Sequence, residues 1–91
     1  MLNTFGSPTE TIVPLTTTPG AAVAVNSSRM GGFIQNKGAV IVQISFTDPT
    51  AGTKFFNLAA GAVQSLSGIQ SAVYARTATG TADLYVLELG S

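Results

Sequence analysis

The chain has 91 residues, four of them Lys or Arg and four Asp or Glu, with zero formal net charge and no His, Cys or Trp. That inventory excludes disulfides, Cys- or His-built metal centres, and every Ser-His-Asp or Cys-His nucleophile. Only 9% of side chains are charged, against roughly a quarter in an average domain, too few to keep monomers apart by repulsion.

Residues 1–20 hold six Thr, three Pro, two Gly and one Ser. Pro8, Pro14 and Pro19 each remove a backbone donor and push the preceding residue towards extended geometry. An extended N-terminal arm is expected over 1–20, with an edge strand near Thr11–Thr16 and apolar anchors at Leu2, Phe5, Ile12, Val13 and Leu15. A disordered terminus is the alternative. The opening Met1-Leu2-Asn3-Thr4-Phe5-Gly6 has no basic region and no apolar run, so no signal peptide is expected. No apolar stretch approaches the ~18 residues of a membrane span.

From residue 21 the apolar pattern has period two. Val40, Val42, Ile44 and Phe46 share one face while Ile41, Gln43, Ser45 and Thr47 share the other. In Leu84–Leu89 both faces are partly apolar, which suits a central strand or one whose second face meets another subunit. Strands are predicted near 21–26, 29–36, 39–47, 53–58, 62–67, 69–76 and 82–89. Turn signals separate them: Thr18-Pro19-Gly20, Asn36-Lys37-Gly38, Asp48–Gly52, Ala60-Gly61, Ser67-Gly68 and Thr79-Gly80. Asn36-Lys37-Gly38 reads as a short hairpin with Gly38 left-handed. Gly31-Gly32 inside a strand reads as a bulge, or as a close approach of another chain or ligand. Leu58–Leu66 is the best helix candidate, but Gly61 interrupts it. The spacing points to one all-β domain over 21–91, a small antiparallel β-sandwich, with a jelly roll and other sandwich topologies both open.

Catalytic patterns are sparse. Neither Lys37 nor Lys54 stands in Ser-x-x-Lys spacing, since Ile34 and Ala51 precede them by three. Asp48, Asp83 and Glu88 could serve a two-carboxylate hydrolase only if the fold gathered two of them. No phosphate-binding glycine motif occurs. No enzyme activity and no cofactor are expected. Arg29, Lys37, Lys54 and Arg76 are scattered singly, so no nucleic-acid footprint is expected. Arg29 and Arg76 each read as a solvated strand end or as a rim contact, Arg76 with Asp83 as a salt-bridge partner across a hairpin. Phe55 and Phe56 must point to opposite faces of a strand, so one of them leaves the local core, as part of a two-sided buried strand or as an interface anchor.

The stretch Arg29–Leu89 resembles small all-β virion proteins of tailed bacteriophages, the head decoration and cement proteins. The resembling pieces are Arg29 opening a strand, Asn36-Lys37-Gly38 before Val40–Phe46, and Phe56-Asn57-Leu58-Ala59-Ala60-Gly61. They continue through Ile69–Arg76 and Ala78-Thr79-Gly80-Thr81 before Leu84–Glu88. The resemblance implies a sandwich, often jelly-roll-like, on a virion's capsid surface after synthesis in the host cytoplasm. Its partner would be the major capsid protein or another virion protein, and it would form a homo-oligomer, a trimer by preference or a dimer. Leu2, Phe5, Ile12, Leu15, Phe55 and Phe56 are the candidate contact residues. The alternative is a carbohydrate- or receptor-binding module on a tail or fibre, with Tyr74 or Tyr85 as its aromatic platform.

Overall fold

A computed structural model of the chain describes residues 7–47 and 54–90. Eight strands follow in order: β1 Ser7–Leu15, β2 Gly20–Val23, β3 Arg29–Asn36, β4 Val42–Ser45, β5 Phe56–Leu58, β6 Val63–Ser65, β7 Val73–Thr77 and β8 Ala82–Gly90. They form two antiparallel four-stranded sheets packed face to face, β1-β8-β3-β6 and β2-β7-β4-β5. The described residues contain no helix, and Leu58–Leu66 is strand, turn and strand.

The pairing has a simple rule. β1 pairs with β8, β2 with β7, β3 with β6 and β4 with β5. These are the partners in one long antiparallel ribbon folded back between β4 and β5. Two further pairings, β3 with β8 and β4 with β7, roll that ribbon into a sandwich.

Period-two alternation fixes which face of each strand is dry. Leu15, Ile34, Ala82, Leu84 and Val86 point inward from one sheet, and Val23, Val42, Ile44, Leu58, Val73 and Ala75 meet them from the other. Leu66, just beyond β6, completes the core. Burying each of the larger side chains stabilises the fold by about 1.5–3 kcal/mol relative to exposure.

The expected arm is, from Ser7 onward, part of the sandwich. Ser7–Leu15 pairs residue by residue with Gly90–Ala82, and Leu15 is 6% exposed in the core. The division between an arm over 1–20 and a domain over 21–91 therefore does not follow the structure. Seven consecutive strands would leave β8 as an edge, and β1 covers it. Leu2 and Phe5 lie outside the described residues, as does the whole Asp48–Gly52 turn.

Two local expectations are corrected by tertiary contacts, and a third is met. Asn36-Lys37-Gly38 closes no hairpin, because β3 and β4 lie in different sheets. Gly38 is not left-handed. It is tightly packed instead, since a Cβ there would lie 2.4 Å from the Ala82 Cβ. The Gly31-Gly32 pair does sit at a bulge, where the register with β8 shifts between Arg29 and Gly31. Gly32 has φ 125°, and a Cβ would fall 1.9 Å from the Leu87 carbonyl oxygen, so the close approach comes from this chain's own β8. The remaining turn signals, at Gly61, Gly68 and Gly80, are met by positive φ.

Candidate functional site

The arginine that opens β3 is interior. Arg29 is 2% exposed, so neither a solvated strand end nor a rim contact describes it. Its Nε donates to Glu88 Oε2 at 2.9 Å, Nη1 to the carbonyls of Ile69 and Ser71 at 2.8 and 3.2 Å, and Nη2 to the Ala24 carbonyl at 2.7 Å. One side chain thus ties the β2–β3 and β6–β7 connections to β8. Asn36, also buried, does the same at the other end of β3. Its Nδ2 donates to the carbonyls of Val40 and Leu58, and its Oδ1 accepts from the Gly38 N–H. No buried side-chain nitrogen or oxygen among the described residues lacks a partner. These polar groups are structural, and they also take Glu88 out of the two-carboxylate reading.

The two outer faces carry other polar and aromatic groups of the described strands. On the outside of β1-β8-β3-β6, the register aligns Ile12 with Tyr85, Tyr85 with Gln35, and Gln35 with Val63. The neighbouring row runs Glu10, Leu87, Phe33 and Ser65. Pro8 and Leu89 pair beyond it. Ile12 and Val63, at opposite margins, are 52% and 54% exposed, while Phe33, Tyr85, Leu87 and Leu89 are half-buried. Phe33 and Tyr85 pack with ring centroids 5.6 Å apart. Apolar groups of all four strands thus share this face, with Gln35 and Ser65 among them on the β3–β6 side, a surface of the kind that marks an interaction site.

Glu10 is the carboxylate set among these groups. Tyr85 Oη donates a hydrogen bond to Glu10 Oε2. That bond, then desolvation, then the Glu10 charge raise the Tyr85 pKa above its ordinary 10.0, because each favours the neutral phenol. Asp83 is exposed at the end of the same face.

The outside of β2-β7-β4-β5 is built from different chemistry. Arg76 on β7 donates through Nε to Gln43 Oε1 on β4 at 2.7 Å, and Gln43 Nε2 donates to Asn57 Oδ1 on β5 at 3.4 Å. The Arg76 guanidinium lies 4.2 Å from the centroid of the Phe55 ring, a cation–π contact. Tyr74 is half-buried two residues before Arg76 and pairs with Ser45. Asp83 is not the partner of Arg76. Among the described residues the one ion pair joins Arg29 to Glu88.

The candidate contact residues are therefore dispersed. Ile12 lies on the apolar outer face. Leu15 fills the core, so it offers nothing to a partner. Phe55 and Phe56 do part company. Phe56 turns inward against Phe46, with centroids 5.5 Å apart, and packs on the core, while Phe55 supports Arg76 on the outside. Phe33, Val63, Leu87 and Leu89 were not among the candidates, although alternation in Leu84–Leu89 had left that strand's second face open. The groove between β1 and β2, lined by Val13, Leu15, Ala22 and Ala75 among others, holds about 130 Å³, below the ~300 Å³ where ligand pockets begin. No three acidic, His or Cys side chains gather among the described residues. No family model, curated protein or solved structure matches this chain.

Proposed function

We propose that this protein is a structural subunit that attaches to a larger protein assembly through the outer face of β1-β8-β3-β6. The setting we favour is a phage capsid, with the chain as a decoration or cement protein on the major capsid protein lattice. The observation that carries the reading is the apolar surface running from Ile12 through Tyr85, Leu87 and Phe33 to Val63. A free monomer with so few charges gains by covering it. The ribbon winding, with pairs 1·8, 2·7, 3·6 and 4·5, supports reading the sandwich as a jelly roll, an architecture used by viral capsid domains. Seated across joints between capsid subunits, the protein would add buried area that resists internal pressure. Self-association as a trimer or dimer would use the same scarcity of charge.

The test is the double substitution Ile12→Asp, Val63→Asp. Both positions are exposed, so the core is left intact. The parent chain is expected to sediment as an oligomer at micromolar concentration or to saturate capsids lacking it, and the variant to do neither. A parent that stays monomeric and leaves such capsids bare overturns the proposal.

A further inference from the structure

We propose that the outer face of β2-β7-β4-β5, opposite the apolar one, is a binding site for acidic saccharides, with Arg76 reading the carboxylate. The guanidinium is fixed in place before any ligand arrives. Phe55 supports its plane, and Nε is held by Gln43, which is held in turn by Asn57. Among the described residues, nothing accepts from Nη1 or Nη2, and no carboxylate pairs with Arg76. Those two nitrogens form the planar fork that binds a carboxylate by two parallel hydrogen bonds. Holding a long side chain in its bound geometry removes the ordering penalty that weakens most surface arginines as ligands.

The surroundings suit a sugar ring more than a bare carboxylate. Asn57 is exposed, and its amide retains donors for ring hydroxyls beyond the hydrogen bond it accepts from Gln43. Tyr74, half-buried, stands on the same face of β7 as Arg76, where its ring would serve as a platform for the apolar face of a saccharide. The described part of this face carries no acidic side chain that would repel an anion.

The experiment is an NMR titration of isotope-labelled full-length protein at constant ionic strength, up to about 50 mM ligand. The probes are glucuronate, N-acetylneuraminate, glucose and N-acetylglutamate. Glucuronate or N-acetylneuraminate is expected to give saturable shifts at Arg76, Gln43, Asn57 and Tyr74, with glucose and N-acetylglutamate each at least tenfold weaker. Arg76→Lys, which keeps the charge but loses the fork, is expected to weaken the sugar acid at least tenfold while capsid attachment and sedimentation stay unchanged. Asn57→Ala, at an exposed position, should weaken it severalfold. Absence of saturable shifts, or sugar-acid binding that survives Arg76→Lys, overturns the site. Equal binding of N-acetylglutamate overturns its assignment to saccharides.

Discussion

The two outer faces of this sandwich share a backbone plan and differ in what their side chains do with one another. On β1-β8-β3-β6, apolar groups from all four strands share the surface with Gln35 and Ser65, and Glu10 is engaged by a phenol. On β2-β7-β4-β5, a cation, two amides and an aromatic ring are linked across three strands. The difference lies in how the side chains are grouped, apolar groups gathered on one face and a linked polar network on the other, and it gives the molecule a direction in which to attach.

The most severe way to break this contrast is to delete residues 1–15. That removes β1, uncovers nine residues of β8 and takes Leu15 from the core. Loss of the cooperative thermal transition is expected, with dispersion of amide resonances collapsing. Deleting residues 1–6 alone leaves every described strand intact, so it should keep the fold and is the cleaner test of Leu2 and Phe5 in attachment. Next in size is Arg29→Ala. It leaves Glu88 and three carbonyls short of a donor beneath the apolar face, and a loss of about 3–5 kcal/mol is expected in denaturant melts. A loss under about 1 kcal/mol would mean that the clamp is not what joins the two connections to β8.

The surface substitutions sharpen the contrast without touching the core. Ile12→Asp with Val63→Asp should shift stability by no more than about 0.5 kcal/mol per site while abolishing association, whereas Gln43→Ala should spare association and loosen only Arg76. If the second variant dissociates the protein instead, the faces have been assigned the wrong way round.

Two pH experiments give the smallest effects. Because the Tyr85 pKa is raised on folding, its contribution is complete below the unfolded value near 10 and fades as pH rises through the higher folded value. Parent and Tyr85→Phe should therefore diverge in pH dependence only in alkaline melts above about pH 10. Between pH 5 and 8, stability should be nearly flat, since no His is present and no side chain has an unperturbed pKa there. A steep step in that range would expose a strongly perturbed acid.

How much of this was readable from the chain varies by element. The alternation in Val40–Phe46 and Leu84–Leu89, and glycines such as Gly61, Gly68 and Gly80, are local signals, and they mark strands and turns where the fold has them. The divergent directions of Phe55 and Phe56 follow from the same geometry. Sequence alone points Arg29 to the surface because exposed ion pairs are the common case, and nothing near it in sequence announces Glu88, 59 positions away. Gly38 is ambiguous in sequence because a left-handed turn and a tight contact with Ala82 call for the same residue. The apolar face was half visible in Tyr85, Leu87 and Leu89, but Ile12, Phe33 and Val63 join them only through register.

By itself, then, the sequence determined an all-β chain of short strands with little charge, because strand periodicity and turn chemistry are properties of neighbouring residues. Only the tertiary structure decided that the first strand pairs with the last, that Arg29 is interior, and which side chains share a surface. Those outcomes depend on contacts between residues far apart in the chain, whose partners become neighbours only after the ribbon has rolled up.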